Sequence, residues 1–444
     1  MASARSFLYH AMQRLTRDND AYASSNSWGF AMATIKPRRR WFAFSLRSLL
    51  VLVTACAIWL GWWVNSATKQ RVSVASIREH GRNLVYYDYE QDALRNAARM
   101  GAIPTGSQEP TSGVMMFLEE HMGPDYFHHI VTVCFFKSYD GEPPSDDRAL
   151  WRAVDGLRRL ENLTSYVPPL DGDLISLPKL RKLKHLDLMN CPELTDESLR
   201  TIARVRSLES LTVTNGTFTD DGFSQLSNLP ELKVLYLMDR MAQSILVDKG
   251  RAVDISDADI AQIVRSSGLT DLRVSSRTLT NEGLSHLSLL VNLEELDLGS
   301  TNATDEGFRQ LSELPNLKSL RLNCPQLSDE GLRFIARLPN LERLEIRGSK
   351  INGSGFEHFA KGSKLDTVVI ESKSLSDEGV RHLAALLNLS TAQLENTPLT
   401  AFDLEQFQFA PKLRLIAIKP SVLDTNMRLK QVLKRVTILN GRVL

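Results

Sequence analysis

The sequence has few of the residues and motifs on which catalytic and metal sites depend. Its 444 residues include four cysteines, which form no CxxC pair and no Cys/His spacing typical of zinc. It contains no Ser/His/Asp set, phosphate-binding glycine loop, dinucleotide fingerprint or HExxH motif. We therefore expect a protein that is not an enzyme, with no catalytic residues, cofactor, metal or small-molecule substrate.

Net charge is also nearly absent, at +1, but the charge is unevenly distributed. Residues 1–47 carry +6 and residues 411–444 carry +7, which leaves −12 on the body between them. Phosphate backbones bind to basic faces, so an acidic body argues against nucleic acid as the main partner.

Long hydrophobic runs are absent except for one near the N-terminus. Residues 48–64 contain no charge and span roughly 26 Å as a helix, about the thickness of a bilayer core. Tryptophans lie near both ends, and the cluster Lys36–Arg40 precedes the run. The sequence predicts a transmembrane helix over 41–65 after a basic cytoplasmic tail over 1–40, so that the protein crosses the membrane once. By the positive-inside rule everything after Asn65 lies outside the cytoplasm.

The apolar run has three other interpretations. A cleaved signal peptide would end in small residues, whereas this run ends in Trp62, Trp63 and Val64. A lipoprotein would use Cys56, yet eight apolar residues follow it. A buried core helix fits poorly, because the arginine-rich segment beside it would be hard to place in a folded core. The native start is left open between Met1 and Met32, since Met32 begins a segment typical of a membrane anchor.

The second half of the chain is repetitive. A six-residue pattern with apolar residues at positions 1, 4 and 6 recurs, and from 269 to 413 its spacing is 24 residues without exception. The single irregularity is a 13-residue insertion within 238–254. Each unit combines alternating apolar residues, typical of a strand, with helical spacing such as Leu327, Leu332 and Ile335. One unit cannot bury these residues alone, so the pattern predicts stacked units with one continuous core.

The units, for example LERLEI preceded by LSDEGLRFIARLPN, resemble the leucine-rich repeat family. They are similar to the short, helix-containing repeats of bacterial proteins and of the cysteine-containing, F-box-associated class. The resemblance implies an α/β solenoid with parallel strands on a concave face and helices on a convex face. We expect repeats over 151–422, a basic capping unit over 423–444, and an α/β juxtamembrane cap over 66–150.

The recurring acid pair, as in LSDEG, was considered as a metal or acid/base site. Because the pair recurs in unit after unit, a structural role is favoured: Ser328 caps the helix through its hydroxyl, and Asp329 and Glu330 complement the helix dipole. Thr195, Thr219 and Thr304 occupy the same place as Ser328 in their units. The glycine that follows the pair, such as Gly331, predicts close contact with a neighbouring unit.

Other side chains were also weighed as sites. His358 and His382 share one helix register, and His121, His128 and His129 flank a turn before the repeats, but neither group has a recognised ligand spacing. Cys191 and Cys324 follow equivalent strands, at a separation of about 24 Å for five strand steps, which excludes a disulfide between them. We expect both to be buried residues of the repeat.

Outward-facing strand positions form the predicted binding surface. The partner-binding candidates are His185, Asp187, Tyr236, Arg273, Glu295, Asp297, Arg321, Arg343, Glu345, Arg347 and Glu371. We expect a protein partner, which the sequence does not identify, and a protein-protein interaction role outside the cytoplasm. The insertion 238–254 is a second candidate surface. The alternatives are a cytoplasm-facing adaptor resembling F-box-associated leucine-rich repeat proteins, and a structural envelope protein without a specific partner.

Overall fold

The computed structural model describes residues 46–79, 84–87, 130–135, 147–238, 255–359, 362–418 and 436–440. By compactness the chain divides into two units, residues 1–59 and 60–444. The expected cytoplasmic tail, most of the juxtamembrane cap with His121, His128 and His129, the insertion, and most of the expected C-terminal cap lie outside the described residues.

The apolar run near the N-terminus forms helix α1, Leu46–Glu79. Within the described residues, its stretch Leu50–Arg78 is long and apolar enough to cross a membrane, and only 6% of its most apolar window is buried. The side chains from Leu50 to Leu60 are exposed. Further along the helix, in the second unit, Ala67, Val74 and Ile77 are buried.

The described residues contain fourteen strands, which form one sheet in which every neighbour in space is also the neighbour in sequence. Strand β1 is antiparallel to β2, and each later pair is parallel. The fourteen strands are β1 Leu84–Tyr87, β2 Ile130–Phe135, β3 Asn162–Ser165, β4 His185–Leu188, β5 Ser210–Thr214, β6 Val234–Met238, β7 Asp271–Ser275, β8 Glu295–Gly299, β9 Ser319–Asn323, β10 Arg343–Arg347, β11 Thr367–Glu371, β12 Thr391–Glu395, β13 Leu415–Ile418 and β14 Thr437–Asn440.

Short helices connect the parallel strands, as predicted by the helical spacing of the apolar residues between one strand and the next. The α-helices are α2 Asp147–Ala153, α3 Asp196–Ile202, α4 Asp220–Ser224, α5 Asp257–Ile263, α6 Asn281–Leu287, α7 Asp305–Leu311, α8 Asp329–Ile335, α9 Asp377–Ala384 and α10 Ala401–Leu404. Segments of 3-10 helix occupy Val154–Gly156, Asp171–Lys179, Gln225–Asn228, Ser354–His358 and Glu405–Phe409. In the units 351–360 and 399–408, which lack the acid pair, the connection is a 3-10 helix or a four-residue α-helix continued by a 3-10 helix.

One hydrophobic core runs between the sheet and the helices. Leu320, Leu332 and Leu344 are fully buried, and they represent the strand and helix leucines that recur in each unit. Cys191 and Cys324 are buried as expected. Burial raises the pKa of the Cys191 thiol to about 12, so this cysteine stays protonated and packs as a small apolar residue.

The first aspartate of the acid pair joins neighbouring units, which the sequence did not predict. Asp305 accepts hydrogen bonds from the Ser328 N–H at 2.9 Å and from the Ser328 hydroxyl at 2.5 Å. Asp196 and Asp257 bind Thr219 and Thr280 in the same two-point manner. Each aspartate therefore fixes the start of the next helix.

The helix-capping prediction is confirmed for some units and wrong for others. The hydroxyls of Thr195 and Ser328 accept from the backbone N–H of Glu197 and Glu330. Thr219 and Thr304 make no such cap. The Thr219 hydroxyl is engaged by the aspartate of the preceding unit, and that of Thr304 by an asparagine, Asn281.

The expected contact at the repeated glycine is confirmed. A Cβ added at Gly331 would lie 2.4 Å from Oδ1 of Asp305, well inside van der Waals contact. The glycine is needed because the carboxylate that joins two units approaches the helix backbone at this point.

We call this contact, in which an aspartate of one unit accepts hydrogen bonds from the start of the next helix, a joint. Asp171 forms such a joint with Thr195. Burial raises the pKa of its carboxyl, but hydrogen bonds from Ser198 and Thr195 outweigh that effect and hold the pKa below its usual value. The ionised form therefore stabilises the joint at neutral pH, and that stability is lost as pH falls through the lowered pKa.

Candidate functional site

The predicted binding residues lie on the face of the sheet opposite the helices, which we call the open sheet face. Parallel register places Tyr236, Arg273, Asp297, Arg321 and Glu345 in a single row across five strands. Adjacent strands lie about 4.8 Å apart, so neighbouring side chains in this row are within reach of one another.

At one end of the row, an aromatic ring and a carboxylate hold an arginine. The Tyr236 hydroxyl donates to Asp271, and the guanidinium of Arg273 lies 4.1 Å from the centroid of the Tyr236 ring. Arg273 also lies 3.7 Å from Asp271. Burial, and then the hydrogen bond to Asp271, raise the pKa of Tyr236, so this residue acts as a neutral donor.

Further along the row, charges of both signs alternate. Arg321 lies 4.0 Å from Asp297 and 3.4 Å from Glu345, and Arg347 donates to Glu345 at 2.6 Å. Burial raises the pKa of Asp297, while Arg321 and then Arg273 oppose that rise. Burial alone would lower the pKa of Arg347, but Glu345 raises it above its usual value. The network holds these side chains in fixed positions.

The edge of the face that is formed by the first residues of the strands is more open. His185 and Arg343 are exposed, and Arg343 forms no ion pair with any residue that the structure describes. Glu295 lies 3.8 Å from Arg273 with nearly half of its side chain exposed. These are the groups with free capacity to bind a partner.

The N-terminal part of the face is held by side-chain hydrogen bonds. Thr164 donates to Asp187 at 3.0 Å, and Asn162 donates to Thr132 at 2.9 Å. Burial, followed by the charge of Asp187, raises the pKa of Cys134 to about 11. This cysteine is therefore a thiol and a poor nucleophile at neutral pH.

Three further residues that the strand alternation placed on this face are buried: Thr212, Thr367 and Gln393. They contribute less accessible surface than expected. Conversely, sequence reasoning missed Asn396, whose amide donates to Glu371. Asn396 has a positive φ of 51°. Asn190 and Asn215, which also follow strands, have positive φ values of 58° and 65°. An asparagine directly after a strand was the available signal.

The described residues contain no group of three His, Cys, Asp or Glu side chains arranged to hold a metal ion. The side chains of His358 and His382 lie beside Glu357 and Glu378 of their own helices. These contacts account for both histidines on the helical side of the fold.

A sheet of consecutive parallel strands, connected by short helices and bearing an ordered polar face, defines a repeat solenoid. A family model described as Leucine Rich repeat matches residues 179–203 and 313–336. The chain therefore contains leucine-rich repeats and has the fold of a leucine-rich repeat solenoid. Proteins built from such repeats are typically protein-interaction modules and not enzymes.

The chain is also similar to two solved structures. An internalin (inlF) from Listeria monocytogenes is 19% identical over 71% of this chain and 87% of its own, with a TM-score of 0.47. A complex of Rad7 and Elc1 in yeast matches at 15% identity, over 90% of this chain and 98% of the other, with a TM-score of 0.43. Both TM-scores are below 0.5, so neither structure informs the function of this chain. No curated protein sequence matches it.

Proposed function

We propose that this protein is a membrane-anchored leucine-rich repeat protein that binds a protein partner through the open sheet face, outside the cytoplasm. The observation that carries the binding role is the row of alternating charges held by ion pairs between strands. Fixed charges lose little side-chain entropy on binding, and their pattern favours a partner with complementary charges.

The exposed groups indicate what such a partner presents. Glu295 offers a partly exposed carboxylate, and Arg343, two strands away, offers an exposed cation that forms no ion pair with any described residue. A partner segment that presents a basic side chain beside a carboxylate would match this order. Because Arg273 and Arg321 are already neutralised by neighbours, we assign them to positioning the network.

Helix α1 supports the proposed anchoring. It is uncharged over 48–64 and exposes Trp59 and Trp62. Exposing this much apolar surface to water would cost about 25 cal/mol per Å², whereas the hydrocarbon of a bilayer removes that cost. The arginines before the helix favour a cytoplasmic N-terminus.

Orientation is tested with reporters fused after Leu444. We expect a reporter that needs an extracytoplasmic environment to be active and a reporter that works only in the cytoplasm to be silent. Reversal of the two activities would refute the proposed orientation. A control in which Lys36, Arg38, Arg39 and Arg40 become glutamate should weaken the preference, because these charges direct the insertion.

Binding is tested with the full chain, solubilised in detergent and crosslinked to envelope proteins. We expect Arg321→Glu to weaken capture of specific partners by about tenfold, since it repels Asp297 and Glu345 and disorders the row. The matched control is Arg333→Glu, the same change on the helical side, where Arg333 pairs only with Glu330 of its own helix.

Capture that is equal for both variants would contradict the binding role. If only abundant envelope proteins are recovered, whatever the substitution, the structural alternative without a specific partner is favoured.

A further inference from the structure

The loops that lead from helix to strand in the first repeats carry an excess of exposed cations. These loops cover residues 157–161, 180–184 and 203–209, and they contain two carboxylates, Glu161 and Glu209. Their exposed cations, which we call the basic edge, are Arg158, Arg159, Arg181, Lys182, Lys184, Arg204 and Arg206.

Register places these loops side by side along one edge of the sheet. The Lys184 N–H donates to the Glu161 carbonyl at 2.8 Å, and the Glu209 N–H donates to the Lys184 carbonyl at 2.8 Å. The three loops therefore follow each other at one strand spacing, about 4.8 Å per step. The cations form one continuous surface although they are distant in sequence.

Most of these cations are not neutralised. Among the residues that the structure describes, Lys184 pairs with Glu209 at 3.8 Å, whereas Arg158, Arg159, Arg181, Lys182, Arg204 and Arg206 form no ion pair. Arg204 and Arg206 also line a groove of about 370 Å³ together with Arg200, Gln225 and Asn228, and no carboxylate lines it.

Helix dipoles do not account for the basic edge. Cations are favoured near helix C-termini in every repeat alike. The equivalent later loops, 288–294, 312–318 and 336–342, nevertheless contain at least as many acidic as basic residues. Three consecutive loops with an excess of cations occur at the N-terminal end of the solenoid, whereas the later loops with such an excess, such as 264–270 and 410–414, are isolated from one another.

That end is where helix α1 contacts the repeats. A Cβ added at Gly156 would lie 2.0 Å from the Ser73 hydroxyl oxygen and 3.0 Å from the Lys69 carbonyl oxygen. Gly156 is two residues before Arg158, so the first loop of the basic edge begins at this contact. Lys69 follows the exposed Trp62 by seven residues, about 10 Å along a helix.

We propose that the basic edge lies on the anionic phospholipid headgroups of the membrane in which helix α1 is anchored. This inference rests on the proposed anchor. Tryptophans favour the interface, and the point at which helix α1 meets the first loop lies about 10 Å beyond Trp62 along the helix, which is about one Debye length at 0.1 M salt. The unpaired cations and the charge of the lipid are complementary. The contact would hold the first repeats at the membrane and leave the open sheet face accessible.

The test uses the full chain in two kinds of lipid nanodisc, one of phosphatidylcholine and one with added phosphatidylglycerol. Hydrogen exchange is measured on peptides that cover the three loops. We expect slower exchange in the anionic discs, and loss of that protection in 0.5 M salt. Each cation near an anionic surface strengthens adsorption by roughly fivefold. Arg181→Glu/Lys182→Glu/Arg204→Glu should therefore abolish the difference between the discs.

The matched control is Arg265→Glu/Arg337→Glu/Arg414→Glu. These three arginines are exposed in the helix-to-strand loops of later repeats and change the net charge equally. The control should keep the lipid-dependent protection. Equal exchange in both discs, or equal loss in both variants, would overturn the proposal. So would stronger protection by an added RNA oligomer in the neutral discs.

The same experiment tests the proposed membrane anchor separately. Peptides covering 46–65 are protected in both discs if the helix is inserted. If they exchange rapidly, or if the chain does not enter the discs, the anchor proposal fails. If they are protected while the loops show no lipid dependence, only the basic-edge proposal fails.

Discussion

Asp329→Ala should lower the free energy of unfolding by about 3 to 5 kcal/mol, because it removes partners from three backbone N–H groups at once. Oδ2 of Asp329 accepts from the N–H of Asn352 at 2.9 Å, and Oδ1 accepts from Gly353 at 2.9 Å and Gly355 at 3.0 Å. Both glycines are buried, so water does not replace the lost carboxylate at their N–H groups.

The adjacent acid supplies the control. Glu330 pairs with Arg333 at 3.2 Å, and about half of each side chain is exposed. An exposed pair of this kind contributes about 0 to 1 kcal/mol, so Glu330→Ala should change stability little. The two neighbouring carboxylates in LSDEG would thus differ severalfold in their contribution to the free energy of unfolding.

The measurement is urea unfolding of the full chain in detergent, followed by circular dichroism. Because repeat proteins couple mainly through nearest-neighbour interfaces, Asp329→Ala is also expected to split the transition and to speed hydrogen exchange around 350–356. Equal shifts of the unfolding midpoint in the Asp329→Ala and Glu330→Ala variants would contradict the proposed joint.

Substitution of aspartate by asparagine should have different effects at the joints formed by Asp305 and by Asp329, because their hydrogen-bond partners differ. Asn281 already replaces aspartate in one of them: its carbonyl oxygen accepts from the Thr304 N–H, and its amide donates to the Thr304 hydroxyl. Asp305→Asn can be accommodated in the same way, because Ser328 has a hydroxyl that can accept. Asp329→Asn would instead place an amide N–H against the Asn352 N–H, so it should resemble the alanine variant.

Gly156→Val should detach helix α1 from the first repeats and destabilise that end of the solenoid by about 3 kcal/mol. The added side chain would overlap the backbone carbonyl of Lys69 as well as the Ser73 side chain, and the carbonyl cannot rotate away. Detachment would also expose Val74 and Ile77, which are buried in the intact protein.

The matched control is Gly172→Val. Gly172 lies in the next turn of 3-10 helix, and an added Cβ there would meet no atom within 4 Å. Hydrogen exchange of peptides covering 66–79 should accelerate in Gly156→Val and remain unchanged in Gly172→Val. If both variants leave this segment protected, helix α1 does not dock at Gly156.

Parts of the fold that depend on local patterns were predictable from the sequence. The 24-residue period located the strands and short helices between 269 and 413, and the alternation of leucines identified the buried positions such as Leu320 and Leu344. These features follow from spacing along the chain, because strand alternation and helical periodicity each place a residue on a definite face.

The candidate site was predictable in outline only. Alternation placed Arg321 and Glu345 on the same face, and parallel register confirms that they lie directly opposite each other. That their charges satisfy one another, while Arg343 remains unpaired, depends on side-chain distances of a few ångströms. The burial of Thr212 and the bond from Asn396 to Glu371 depend equally on packing across strands.

The sequence by itself determined the repeat, its hydrophobic core and the apolar helix before it, because composition and period are properties of consecutive residues. Only the tertiary structure decided what the acid pair does. Asp329 meets Asn352, Gly353 and Gly355 because stacking brings positions 23 to 26 residues apart into contact. Glu330, one residue along the same helix, points to solvent. A difference of about 100° around the helix axis, combined with the position of the next unit, separates a joint of the solenoid from an ordinary surface residue.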